Sequence, residues 1–103
     1  MRRILSVLAL MAASPLHAWE AMPAEDLAGR TVRYADAVQT FAPNGQTVYT
    51  TDSPSRGNWR AQGGQYCSAW PPSDRWDCYG LEREGDRIRF IAKDGSTTEG
   101  KIE

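Results

Sequence analysis

Both cysteines of this 103-residue chain sit in one short run, Tyr66-Cys67-Ser68-Ala69-Trp70-Pro71-Pro72-Ser73-Asp74-Arg75-Trp76-Asp77-Cys78-Tyr79. The Pro71-Pro72 pair lies between them, where it ends one extended segment and begins a turn. The run therefore reads as a disulfide-stapled β-hairpin. If Cys67 faces Cys78, the two-residue pleat sets the rest of the register. Tyr66 then opposes Tyr79, Ser68 opposes Asp77, Ala69 opposes Trp76 and Trp70 opposes Arg75. The sulfurs share a face with Ala69 and Trp76, and Tyr66, Ser68, Trp70, Asp77 and Tyr79 share the other. Ten residues separate the cysteines, which does not match the C-x-x-C spacing of metal and redox motifs. Closing a loop of this length stabilises a fold by about 3 kcal/mol in the chain-entropy model.

A disulfide needs an oxidising compartment, and the N-terminus supplies a route to one. Arg2 and Arg3 precede an uncharged, mostly apolar run from Ile4 to Ala13, and Ser14-Pro15-Leu16-His17-Ala18 then ends on a small residue. This is the tripartite plan of a secretory signal peptide over residues 1–18, with cleavage near Ala18. The apolar run is far shorter than the ~20 residues of a spanning helix. The expectation is a periplasmic or secreted protein with no stable membrane insertion after cleavage.

The remaining chain, 19–103, has the size of one small domain. Without Arg2 and Arg3 it carries ten basic residues against thirteen acidic ones, with no basic patch of the kind that binds nucleic acid. His17 is the only histidine and leaves with the leader. No imidazole then remains for a nucleophile pair or a metal centre, and bonded cysteines offer no thiolate. No metal and no cofactor are expected, and catalysis would rest on carboxylates, Tyr or Lys.

Leucine, isoleucine and valine are scarce, whereas four Trp, four Tyr and two Phe offer large rings to bury. A thin aromatic core follows. Pro23 to Ala28 carries helix-start signals with Gly29 just past the end, so a short helical turn is expected there. Beyond it, short β-rich runs alternate with turn residues at a spacing typical of all-β folds. The strands read as Thr31–Asp36, Val38–Ala42, Gln46–Thr51, Asn58–Gln62, Gln65–Trp70, Arg75–Arg83, Arg87–Lys93 and Thr97–Ile102. Asn44-Gly45, Gly63-Gly64, Gly85 and Gly95 mark tight reversals, and Asp52 to Gly57 reads as the one loose loop. Every connection is too short for a crossover helix, which makes the whole a small antiparallel meander of seven or eight strands. Barrel and sandwich both satisfy that pattern. The last strand is either an edge or the strand that closes a barrel.

Leu27-Ala28-Gly29-Arg30-Thr31, Tyr34 with Asp36, Phe41 with Asn44-Gly45, Gly57-Asn58-Trp59, Tyr66-Cys67, Trp70, Cys78-Tyr79 and Ile88-x-Phe90 together make a recognisable pattern. It resembles short exported bacterial domains of unknown function marked by Gly-x-Trp, Tyr/Leu-Cys, a tryptophan and Cys-Tyr/Phe. The resemblance implies a periplasmic β domain and carries over no catalytic residue. Size, leader, single disulfide and meander are also similar to those of the periplasmic lysozyme inhibitors, which are small antiparallel barrels. The Ser-Gly-x-x-Tyr-type loop that those inhibitors insert into the lysozyme cleft has no clear counterpart here.

The expected function is non-catalytic binding of a protein or small ligand. Its candidate surface is Trp70, Pro71, Pro72, Arg75 and Trp76, since turn-flanking rings have fewer neighbours than mid-strand rings such as Trp59. One alternative is a hydrolase inhibitor that presents the Trp70–Trp76 turn or the Asp52–Gly57 loop. A weaker one is an enzyme built on Asp36, Asp77 or Glu82, with Asp36 as the carboxylate most open to burial.

Overall fold

A computed structural model describes residues 18–103. The leader assigned to residues 1–18 lies outside the described residues except for Ala18. The described chain is all-β: β1 (Glu20–Ala21), β2 (Thr31–Arg33), β3 (Val38–Phe41), β4 (Gln46–Thr50), β5 (Pro54–Gln62), β6 (Gln65–Ala69), β7 (Asp77–Glu84), β8 (Arg87–Ile91) and β9 (Thr97–Ile102). From β2 to β9 each strand pairs antiparallel with the next, and β9 pairs back onto β2 through Val32–Ile102 and Arg33–Lys101. The meander therefore closes into an eight-stranded barrel. β6 pairs only with Asp77–Tyr79, and β1 takes the edge that β7 exposes beyond it, with Glu20 opposite Arg83 and Ala21 opposite Glu82.

Closure depends on a residue without a side chain. A Cβ on Gly100 would lie 2.7 Å from Val32 Cγ1 and 2.9 Å from the Arg33 carbonyl. Only glycine lets β9 lie this close to β2 while the Tyr34 ring crosses the seam. The last strand is thus the closing strand.

Alternation along each strand assigns the interior. Val32, Phe41, Trp59, Tyr66, Leu81, Ile88, Phe90 and Ile102 are buried in one cluster. One end of the barrel is stopped by a 3-10 turn, Ala24–Leu27, whose Ala24 and Leu27 are fully buried. Its entrance is fastened by Met22 N–H donating to the Leu81 carbonyl (3.0 Å) and Ala24 N–H to that of Gly64 (3.1 Å). The turn appears where Pro23 and the acids Glu25 and Asp26 predict it. Trp59 Nε1–H donates to the Ala42 carbonyl at this same end (2.9 Å).

The expected strands are all present, with differences at their bounds; β8, for one, ends at Ile91 rather than Lys93. β2 stops at Arg33, so Asp36 falls in an exposed bend between β2 and β3. β1 was not expected, because two residues are too few to show a period. Residues 54–57 belong to β5 rather than to a loose loop, with Ser55 opposite Tyr49 and Gly57 opposite Thr47. Pro54 is tolerated at a first strand position, where its missing N–H does least harm. Polar composition hid that strand, since Pro54, Ser55 and Arg56 are exposed and Gly57 has no side chain to signal an inward position.

The Cys67–Cys78 disulfide is formed, and Tyr66–Tyr79 and Ser68–Asp77 pair as expected. Pairing then stops. Ala69 and Trp70 do not oppose Trp76 and Arg75, because β6 ends at Ala69 and β7 begins at Asp77. Trp70 instead folds over Gly57, where an added Cβ would lie 2.5 Å from the indole Cε3.

Candidate functional site

The end of the barrel opposite the 3-10 turn is open. A cavity of about 470 Å³ enters there, within the range of small-molecule sites. All four tyrosines of the chain, Tyr34, Tyr49, Tyr66 and Tyr79, line it together with Gln39, Ser55, Ser68, Trp70, Phe90 and Thr98. An eight-stranded barrel is just wide enough for its side chains to fill it or for one small ligand to enter. Here the two solutions occupy opposite ends.

The rings form an open chain around the cavity. Trp70 meets Tyr49 edge-on at 6.4 Å between centroids, and Tyr49 meets Tyr34 at 5.7 Å. Tyr34 meets Phe90 at 6.0 Å, Phe90 meets Tyr66 at 5.4 Å, and Tyr66 meets Tyr79 at 5.9 Å. The last contact is the inner consequence of the disulfide. The register that sets Cys67 against Cys78 on the outer face sets Tyr66 against Tyr79 on the inner one.

The floor is a neutral hydrogen-bond network centred on Gln39, which is only 4% exposed. Tyr34 Oη–H donates to Gln39 Oε1 (2.7 Å), and Gln39 Nε2 donates to Thr47 Oγ1 (2.9 Å) and Tyr66 Oη (3.0 Å). Thr47 passes its own proton to the Thr40 carbonyl (2.8 Å). Trp70 Nε1–H donates to Ser68 Oγ at the cavity wall (3.2 Å). A buried amide placed in this way is satisfied through both its oxygen and its nitrogen. Its orientation is dictated by Thr47, whose proton is taken by the Thr40 carbonyl, so that its oxygen can only accept from the amide nitrogen.

Burial pushes the phenol of Tyr34 well above its ordinary range, and the neighbouring Tyr66 and Tyr49 add to the shift. Burial also raises Tyr66, opposed by hydrogen bonding from Ser68 and Gln39. Both phenols are therefore neutral at any physiological pH. The lining residues include no carboxylate, amine or imidazole.

The structure divides the surface expected from the sequence. Trp70 is half-buried and lines the cavity. Pro71, Pro72 and Arg75 are exposed in the turn beyond it, and the Arg75 guanidinium lies 3.4 Å from Asp77 Oδ2. Trp76 is on the outer wall, with Arg60 Cζ 4.0 Å above its ring. Arg60 pairs with Cys67, so Trp76 shares the face of the disulfide. The two tryptophans of the turn thus serve different surfaces. Asp36, Asp77 and Glu82 are all outside the cavity. Asp36 is exposed rather than buried, and Glu82 sits 2.5 Å from Arg89 on the outer wall, where Arg89 also covers Trp19 at 4.3 Å.

Tyr34, Tyr49, Tyr66, Tyr79 and Gln39 were not among the expected site residues. The available signal was phase: each tyrosine is in step with an inward residue two positions away, Val32, Thr47, Ser68 and Leu81 respectively. Which end of the barrel they would reach was not visible from phase.

No family model matches the chain, and no curated protein or solved structure matches it. The fold and the cavity by themselves define the class: an up-and-down antiparallel barrel, closed at one end and open at an aromatic mouth.

Proposed function

We propose that this chain is an exported, non-catalytic binding domain that receives its ligand in the open end of the barrel. The observation that carries the reading is the convergence of all four tyrosines and Trp70 on one cavity above a satisfied polar floor. Half-exposed rings on a rigid scaffold provide contact area at little entropic cost. The absence of ionisable groups other than phenols from the lining, and the removal of Asp36, Asp77 and Glu82 from it, favour binding over acid–base chemistry. Export is supported by the disulfide and by the leader-like residues 1–18; among the described residues no helix is long and apolar enough to cross a membrane.

The test is a nuclear magnetic resonance titration of the purified protein with fractions of its native periplasm. Saturable shifts should concentrate at Tyr34, Tyr49, Trp70 and Tyr79 and disappear in Trp70→Ala. Shifts confined to Trp76 and Arg60 would place binding on the outer wall and overturn the reading. Turnover in an esterase, glycosidase or peptidase screen that vanishes in Asp36→Asn would overturn its non-catalytic part.

A second reading rests on the exposed Pro71–Arg75 turn, which borders the mouth next to Trp70. That turn could enter the cleft of a peptidoglycan hydrolase and inhibit it. Loss of inhibition in Pro72→Gly with retained inhibition in Tyr79→Phe would favour it.

A further inference from the structure

We infer that the ligand of the open cavity is an uncharged, hydroxylated ring: a neutral sugar, either free or at the end of a glycan chain. This inference rests on the cavity-binding reading above and narrows it by chemistry.

Anions are excluded first. No lining residue carries a formal charge, and the two deepest phenols are held in their protonated form. A carboxylate or phosphate entering this space would lose water and gain no counter-ion, and a quaternary ammonium, though attracted by the ring faces, would leave the lining hydroxyls without a partner. A purely hydrocarbon ligand fits no better. Among the described residues the Tyr49 and Tyr79 hydroxyls have no protein hydrogen-bond partner, and Ser55 and Thr98 add two further hydroxyls to the lining. A hydrocarbon would cover these groups without satisfying them.

What remains is a molecule with apolar C–H faces and an edge of hydroxyls. Such a ring lays a face against Trp70 or a tyrosine and turns its edge toward groups that both donate and accept, as tyrosine, serine and threonine hydroxyls do. The floor limits how it enters. Gln39, Tyr34 and Tyr66 are bonded to one another below the cavity, and beneath them the barrel is filled by Phe41, Trp59 and Leu27. A polymer cannot thread through. Only a free sugar or a terminal residue enters.

Titration of the protein, purified after expression of the full chain, with glucose, N-acetylglucosamine, cellobiose and N,N′-diacetylchitobiose tests this. Glucuronate serves as the charged counterpart of glucose. The readouts are the Trp70 indole N–H signal and the backbone signals of Tyr49 and Tyr79. The expected result is a saturable shift with at least one neutral sugar, about tenfold weaker in Tyr79→Phe or Tyr49→Phe, which lose one hydroxyl each. A disaccharide that binds more tightly than its monosaccharide identifies a chain end, and equal binding identifies a free sugar. Absence of saturation with all four neutral sugars up to about 50 mM overturns the inference. Binding of glucuronate as tight as that of glucose also overturns it. If the sugars fail while periplasmic fractions still shift Trp70, the ligand class alone is wrong. If neither shifts Trp70, the cavity-binding reading falls with it.

Discussion

The two ends of this barrel are made of the same strands and are both rich in aromatic residues, yet they reach opposite outcomes. At the closed end Phe41 and Trp59 are fully or nearly buried, the two rings meet edge-on at 5.8 Å, and Leu27 stops the opening. At the open end four of the rings carry hydroxyls, Tyr34, Tyr49, Trp70 and Tyr79 stay partly exposed, and the rings surround space. The difference comes from what the connecting segments bring. The residues before β2 fold inward as a 3-10 turn and deliver two fully buried aliphatic side chains. The connections at the other end are short turns and the exposed Pro71–Arg75 segment, which deliver no buried aliphatic larger than Ala37. Stability belongs to one end and the candidate function to the other.

The sharpest way to break that division is a pair of tryptophan truncations. Trp59→Ala at the closed end should cost about 3–5 kcal/mol, the range for buried aromatic truncation, measured by denaturant unfolding. An effect below about 1 kcal/mol would mean that the closed end does not hold the fold. Cys67→Ser should follow, at about 3 kcal/mol within a usual span of 2–5. Because the same register places Tyr66 against Tyr79, it should also disturb the signals of the open end. Unchanged Tyr79 signals in that variant would separate the staple from the cavity.

Gln39→Leu tests the boundary between the ends. It removes the partner of Tyr34 and Tyr66 while keeping bulk, and leaves buried hydroxyls unpaired at a cost of about 1–3 kcal/mol. A neutral outcome would show that cavity water replaces the amide. Alkali tests the same floor without mutation. The ordinary phenol ionises near 10.0, and Tyr34 and Tyr66 are raised above that in the folded state. Their contribution to stability is complete below pH 10 and is lost as pH rises beyond it, because the unfolded chain releases those protons first. Two of the four tyrosines should therefore develop tyrosinate absorbance only on unfolding. Simple titration of all four near pH 10 in the folded state would contradict the burial of the floor.

Trp70→Ala should have the smallest effect on stability, below about 1 kcal/mol, since its ring is only half-buried. Its effect on ligand-induced shifts should be the largest of any substitution here. A loss comparable to that of Trp59→Ala would make Trp70 part of the core and erase the contrast between the ends.

Much of this was legible in the sequence, and for local reasons. Alternation has a period of two, so the strands and their inward faces follow from neighbouring residues. The glycine turns, the Pro23 start and the Cys67–Cys78 register each depend on a few adjacent positions, and each appears where expected. The hairpin register failed only beyond Ser68–Asp77, where a distant residue, Gly57, opens room for Trp70 to fold away from its strand partner. Only the tertiary structure decided that the meander closes as a barrel, because closure depends on Gly100 meeting Val32 and Tyr34, more than sixty residues earlier in the chain. Closure in turn sorted the aromatics, sending Trp76 outside, Trp59 to the stopped end and four tyrosines to the open one. Periodicity says which side of a strand faces inward. Which end of the enclosed space a side chain reaches depends on the stagger of all eight strands at once.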